Sequence, residues 1–195
     1  MYDFYFGDKE DISSDEEKYL ISIKRMLPKW MNSIPDSEYL ALHRVAGEIK
    51  QDKSVFVETG LGASTLVLLF NAIKNNGILY SWDTNGEKAS QIRTVCTETI
   101  CQYFDCNIGK HWKVVNYFST SPYAGLPILS ELDEKVNLFF HDSEHVLSVI
   151  LDELKAITPL LSKDAIVCLD DANYNFKHTN TAFIKNLNKL NSSII

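Results

Sequence analysis

Residues 55–65 read VFVETGLGAST, and this stretch decides the fold of the chain. A short run of β-branched and aromatic residues ends in the acidic Glu58, and two glycines follow in the spacing G-x-G. A helix-forming run, LVLLF, begins at residue 66. The order predicts a strand over 54–58, a tight glycine turn and a helix over 64–75, which together bring backbone N–H groups and a helix N-terminus close to a ligand.

The acidic residue before the turn indicates the kind of ligand. A dinucleotide-binding turn faces a pyrophosphate and has the pattern G-x-G-x-x-G, whereas Thr65 stands at the third glycine position after Gly60 and Gly62. A carboxylate at Glu58 repels a pyrophosphate but suits a cation. S-adenosylmethionine (SAM) carries an ammonium and a sulfonium group and no phosphate. The turn therefore favours SAM, and a nucleotide-cofactor enzyme of the Rossmann type is the alternative.

Composition narrows the class of protein. The chain has 195 residues, of which 45% are hydrophobic, and this suits one globular domain. A net charge of −7 argues against nucleic acid or an anionic membrane as the partner. We find no apolar run of about 18 residues and no basic leader segment, so we expect neither a membrane span nor a secretory signal. The four cysteines lack the spacing of a metal site and are interpreted as free thiols in the cytoplasm.

Strands and helices alternate along the chain. The predicted strands cover 54–58, 78–83, 113–117, 136–141 and 165–169, and the predicted helices cover 14–31, 35–50, 64–75, 86–104, 144–161 and 179–190, with an interruption at Pro28. Such alternation predicts an α/β fold, a Rossmann-like, doubly wound and mostly parallel sheet in the order 3-2-1-4-5. We expect residues 1–50 to form an N-terminal helical cap and residues 51–195 to form a SAM-binding domain.

Acidic residues follow four of the predicted strands: Glu58, Asp83, Asp142 and the pair Asp170 and Asp171. In open parallel sheets, a ligand lies at the carboxyl ends of the strands, where the strand order reverses. The joint placement of these acids therefore predicts a binding site at this edge.

Two of the strand ends are expected to contact the adenosine part of a ligand. Asp83 comes about 20 residues after the glycine turn, where an acidic side chain accepts hydrogen bonds from ribose hydroxyls. Both SAM and NAD need that contact. After the third strand, Phe118, Ser119 and Thr120 offer a flat apolar face and hydroxyls for the adenine.

The ends of the fourth and fifth strands predict a metal site. Adjacent parallel strands lie about 5 Å apart, so Asp142, Asp170 and Asp171 converge. A hard cation relieves their repulsion, and oxygen ligands favour Mg²⁺ or Mn²⁺. His141 and His145 leave zinc as an alternative. His145, three residues after Asp142, is placed beside the metal, where a general base acts, whereas His141 points to the other side of the strand.

Three motifs together resemble the metal-dependent small-molecule O-methyltransferases among the class I SAM-dependent methyltransferases. They are ETGLGAST at residues 58–65, DSEH at 142–145 and DD at 170–171. The branch with catechol and macrocin-type sugar O-methyltransferases is most similar. The resemblance implies Asp142, Asp170 and Asp171 as metal ligands and His145 as the base. The expected cofactor-binding residues are Glu58, Gly60, Gly62, Ser64, Thr65, Asp83, Ser119 and Asp142.

The resemblance predicts methyl transfer from the SAM sulfonium to a hydroxyl oxygen of a small molecule. A vicinal diol can chelate a metal through two oxygens, so the expected acceptors are sugars and catechols, between which the sequence does not choose. Class I methyltransferases usually end in an antiparallel hairpin, for which residues 191–195 leave no room. We expect that hairpin to be missing, with strand five covered by the N-terminal helices or by a second subunit. Its loss would favour a non-catalytic SAM-binding or interaction module, the second alternative.

Overall fold

A parallel sheet forms the centre of the protein. The computed structural model describes residues 14–116 and 135–170, and in these ranges five strands lie in the order β3-β2-β1-β4-β5, all parallel. The strands are β1 (Val55–Thr59), β2 (Ile78–Asp83), β3 (Trp112–Asn116), β4 (Val136–His141) and β5 (Leu161–Leu169). The predicted Rossmann-like fold class and strand order are confirmed.

Helices cover the sheet. They are α1 (Asp15–Lys24), α2 (Asp36–Gly47), α3 (Ser64–Lys74), α4 (Gly86–Glu98), α5 (Ile100–Phe104), α6 (Ile108–His111) and α7 (Leu147–Ile157), with short 3-10 turns at Lys29–Met31 and Thr158–Leu160. None of the helices within the described ranges has the length and apolar character needed to cross a membrane. All four cysteines are free thiols.

The N-terminal helices share a core with the sheet. The Ser14 hydroxyl caps α1 by accepting the Glu17 N–H at 3.1 Å. Leu20 of α1 and Tyr39 of α2 are fully buried in the same apolar cluster as Phe70 of α3. The second cluster lies between the sheet and α7 and contains Val55, Val57, Tyr80, Trp82, Val136, Phe139, Leu154 and Ile157. The division of the chain at residue 50 stays a prediction.

Several boundaries differ from the sequence expectation, and the first helix, predicted over 14–31, ends at Lys24. The helix predicted over 86–104 is broken at Thr99, whose ψ of −79° is not helical and whose hydroxyl donates to the Val95 carbonyl at 2.6 Å. β5 begins at Leu161, directly after the 3-10 turn, and its register with β4 is irregular between Val136 and Leu138. The last helix before β5 begins at Leu147, so the residues between Asp142 and that helix form a loop.

Some predicted features lie outside the described residues. They include Phe118, Ser119, Thr120, Asp171, the end of the third strand at residue 117 and the helix over 179–190.

Candidate functional site

The glycine turn is wedged between the ends of β2 and β4. Gly60 has a φ of +88°, and a Cβ built there would lie 1.9 Å from the Asp142 carbonyl oxygen. Its N–H donates to the Trp82 carbonyl at 2.8 Å. Gly62 is different, because its nearest protein atom to an added Cβ is the Met31 carbonyl oxygen at 3.5 Å. The fold therefore requires glycine at the first position, whereas a methyl group at the second would make only ordinary van der Waals contacts within the protein.

Glu58 is fully buried beneath this turn. Its carboxyl accepts hydrogen bonds from the Ser81 hydroxyl at 2.6 Å and from the Ser64 hydroxyl at 3.5 Å. The Trp112 indole N–H donates to the same Ser81 hydroxyl at 2.8 Å. Burial raises the pKa of Glu58 to about 8, although hydrogen bonds from Ser81, Thr65 and Ser64 act against this. At pH 7 the group therefore mostly holds a proton, whereas the sequence argument treated it as a carboxylate.

Asp83 connects the end of β2 to the glycine turn. Its Oδ2 accepts the Leu61 N–H at 2.7 Å and lies 3.3 Å from the Lys88 ammonium, and its Oδ1 accepts the Asn85 N–H at 2.7 Å. A carboxylate has about four lone-pair positions, so about one remains for a ribose hydroxyl. Sequence reasoning missed Lys88, although its place in the first turn of the helix after β2 could have indicated it.

The hydroxyls of Ser64 and Thr65 face the turn itself. Both residues are buried, and the Thr65 Oγ1 accepts the Gly62 N–H at 3.3 Å while Ser64 contacts Glu58. These hydrogen bonds stabilise the conformation of the turn.

A segment of the N-terminal region supports the turn from the other side. The Met31 carbonyl accepts the Ala63 N–H at 3.0 Å. The buried Lys24 ammonium holds this segment by donating to Asp36 Oδ1 at 2.5 Å and to the Ile34 carbonyl at 2.7 Å.

Asp142, His145 and Asp170 form a cluster at the ends of β4 and β5. One potential ligand atom from each lies within 4.8 Å of the others, and the His145 Nε2 is 3.7 Å from Asp142 Oδ1. Burial and the neighbouring Asp170 carboxyl raise the pKa of Asp142 far above its ordinary value. Two carboxyls this close do not both ionise unless a cation joins them. The donor set fits a hard divalent cation.

A second polar cluster lies next to the first, and sequence reasoning identified only its His141, on the other side of the strand from Asp142. Glu153 of α7 accepts hydrogen bonds from the Thr59 hydroxyl at 2.6 Å and the Ser143 hydroxyl at 2.7 Å, and the His141 Nε2 lies 3.3 Å from it. Burial lowers the pKa of His141 to about 4, so this ring is neutral at pH 7. Thr59 and His141 are register partners in adjacent strands, which was the available signal for this contact.

The chain is similar to known proteins over the region that contains this site. The family model described as a methyltransferase domain matches residues 57–172, more than half of the chain. No curated protein sequence matches significantly.

Solved structures share the fold. The O-methyltransferase TomG from Streptomyces achromogenes, involved in tomaymycin synthesis and solved with SAM, is 14% identical with a TM-score of 0.61 over 92% of this chain and 78% of its own. An O-methyltransferase from Bacillus cereus, solved with S-adenosylhomocysteine (SAH), is 13% identical with a TM-score of 0.61 over 93% and 81%. An SAH-bound methyltransferase from Podospora anserina is 13% identical with a TM-score of 0.56 over 93% and 79%. At these identities the likeness establishes the fold alone.

Proposed function

This chain belongs to the family of methyltransferase domains, and on that premise we propose that it is a SAM-dependent O-methyltransferase acting on a small molecule. The observation that carries the proposal is the glycine turn with its partly exposed Gly62, which has the buried Glu58 beneath it and Asp83 at its side. The family match confirms the predicted resemblance to methyltransferases. The SAM and SAH bound in the structures of similar fold support the choice of cofactor.

We assign the cofactor to the turn. SAM would lie over Gly60 and Gly62, with a ribose hydroxyl on Asp83 and the methionine end towards Glu58. The partly exposed backbone at Gly62 supports this placement, because a ligand can approach the backbone where no side chain stands. Ser64, Thr65 and Asp142 complete the described part of the proposed site, and Ser119 is kept as the adenine contact predicted from sequence.

We assign a divalent cation to Asp142 and Asp170, with Asp171 as the third ligand predicted from sequence. Mg²⁺ or Mn²⁺ bound there would supply positive charge that lowers the pKa of a hydroxyl. The mutual repulsion of the two described carboxyls supports the assignment. His145, whose side chain is 35% exposed, accepts the proton that the acceptor hydroxyl loses, a role worth about 10²–10⁴-fold in rate.

The proposed acceptor is a sugar or catechol-like diol. A vicinal diol offers two oxygens to the same cation, and the half-exposed cluster lies at the edge of the sheet where such a molecule can enter. We further propose that the protein acts in the cytoplasm, where free thiols persist, and that it binds neither nucleic acid nor membrane. A homo-oligomer stays open.

Calorimetry tests the proposal against its two alternatives. We expect SAH to bind the purified protein in a 1:1 ratio and NADH to bind far more weakly. Preference for NADH would establish the nucleotide-cofactor alternative instead. SAH binding without label transfer from methyl-labelled SAM to any of a panel of catechols and sugars would favour the non-catalytic module. Full transfer in excess chelator would exclude the cation.

His145→Ala separates a base from a metal ligand. As a base, His145 acts only in the transition state, so we expect the transfer rate to fall about 10²–10⁴-fold with SAH affinity unchanged. Mn²⁺ affinity, measured by electron paramagnetic resonance, should also be unchanged. A marked loss of Mn²⁺ affinity would make His145 a ligand, and a wild-type rate would remove it from the mechanism. His111→Ala, at the opposite edge of the sheet beside the Gly77 carbonyl, is the control.

A further inference from the structure

Glu153 is a deeply buried acid near the site, and it has no role in the proposed reaction. It lies on α7 and is 3% exposed. Its Oε2 accepts the Thr59 hydroxyl at 2.6 Å and its Oε1 accepts the Ser143 hydroxyl at 2.7 Å. Each carboxylate oxygen therefore accepts a hydroxyl from a different strand end, and Oε2 also lies 3.3 Å from the His141 Nε2 of β4.

The two hydroxyls that Glu153 binds flank the functional residues. Thr59 directly precedes Gly60 of the cofactor turn, and Ser143 directly follows Asp142 of the acidic cluster. The same two strand ends are joined by the Asp142 N–H, which donates to the Thr59 carbonyl at 2.8 Å. The side chain of Glu153 thus adds a second connection between the two strand ends that this backbone hydrogen bond already joins.

Packing alone does not account for a carboxyl group at this position. Leu154 and Ile157 of the same helix are buried in the apolar cluster beneath the sheet. Desolvation of an acid costs several kcal/mol unless hydrogen bonds offset it, whereas an apolar side chain would only add to that cluster. The two hydroxyl donors at 2.6 and 2.7 Å supply the offset and bind the acid to specific residues.

We propose that Glu153 is a positioning residue that fixes the Asp142 loop against the cofactor turn. That the two ligands are SAM and a divalent cation rests on the proposed function. The contacts of Glu153 with Thr59 and Ser143, here called the clamp, do not depend on it. By fixing the loop, Glu153 holds Asp142 and His145 in a set position relative to a ligand on Gly60 and Gly62.

Amide hydrogen exchange tests the clamp without any ligand. In Glu153→Ala, we expect exchange of the Asp142 N–H to become at least about tenfold faster than in the wild type, the effect of about one lost hydrogen bond. The Asp170 N–H, which donates to the His141 carbonyl at 2.9 Å, should accelerate with it. Amides of α2 should change no more than global stability requires.

Glu17→Ala is the matched control. Glu17 is also a buried acid that accepts hydrogen bonds from Arg44 at 2.8 and 3.2 Å, but it lies on α1 away from the site. We expect its loss to accelerate exchange only through global unfolding, without selecting Asp142. Equal protection of the Asp142 N–H in Glu153→Ala and Glu17→Ala, at matched stability, would overturn the proposal.

Ligand titrations then separate the contact of Glu153 with Thr59 from its contact with Ser143. Thr59→Val should weaken SAH binding, Ser143→Ala should weaken Mn²⁺ binding about tenfold, and Glu153→Ala should weaken both. Glu153→Gln, which keeps the length and one acceptor, should recover part of each. Intact affinities in Glu153→Ala, measured below its unfolding temperature, would reduce Glu153 to a stabilising residue. A wild-type protein that binds neither SAH nor Mn²⁺ would refute the proposed function, and the exchange experiment would still decide the clamp.

Discussion

At the scale of single residues, the neutral state of Glu58 makes stability depend on pH. Its pKa is about 8 in the folded protein and 4.5 without burial, and Asp83 and Cys96 are among the ionisable groups around it. Between these values the folded state binds one more proton than the unfolded state. The stability it contributes is complete below pH 4.5 and is lost as pH rises through about 8.

Glu58→Gln should therefore remove this pH dependence. We expect the unfolding free energy of the wild type, relative to the variant, to fall from pH 5 to pH 8 with a slope that approaches about 1.4 kcal/mol per pH unit. Denaturant unfolding of both proteins in parallel measures the difference, which cancels the other titrating groups. Parallel curves would mean that the carboxyl is already ionised in the folded protein.

Asp83 is the residue whose loss should act most directly on the cofactor. Asp83→Ala removes the acceptor for the Leu61 N–H as well as the proposed ribose contact, so we expect SAH binding to weaken by about 1–3 kcal/mol. Asp164→Asn, an exposed acid at the other end of the sheet, changes the same charge and should leave the affinity intact. Undiminished SAH affinity in Asp83→Ala would contradict the assignment.

At the scale of elements, substitution by alanine should affect different properties at the two glycines of one turn: stability at Gly60 and ligand affinity at Gly62. Gly60→Ala places a methyl group 1.9 Å from the Asp142 carbonyl oxygen, on a residue with a φ of +88°. We therefore expect a severe loss of stability. Gly62→Ala meets only ordinary contacts in the protein. We expect its thermal unfolding to match the wild type while SAH affinity falls at least tenfold, because the methyl group occupies the path of the ligand. Unchanged affinity would place the ligand elsewhere.

Sequence periodicity predicted the elements well because buried parallel strands are continuous apolar runs bounded by turn residues. β2 and β4 were predicted to the residue, and the spacing of Asp83 from the glycines identified the end of β2. Contacts between distant segments were harder to predict. Ser81 binds Glu58 because the β1–β2 register sets them side by side, and Glu153 reaches Thr59 from a helix far along the chain. Neither contact leaves a periodic signal.

At the scale of the whole molecule, a buried ion pair holds together the N-terminal segment that supports the glycine turn. Asp36→Ala leaves the Lys24 ammonium buried without its carboxylate, so we expect the free energy of unfolding to fall by about 3–5 kcal/mol. Lys24→Met combined with Asp36→Leu should recover most of this loss, because two apolar side chains need no partner. Denaturant unfolding measures both. A double variant no more stable than the single one would show that the hydrogen bond from Lys24 to the Ile34 carbonyl matters more.

The strand order also sets when the site comes into being during folding. Val55 pairs with Ile78, nearby in the chain, and on its other side with Val136, far along it. Closing the longer loop costs more chain entropy and takes longer. The glycine turn and Asp83 therefore belong to an early local unit, whereas Asp142 and Asp170 arrive with a late one. A ligand that bridges the two units meets its complete site only after β4 has docked. Its binding energy then slows the unfolding of the finished protein and leaves the speed of folding almost untouched.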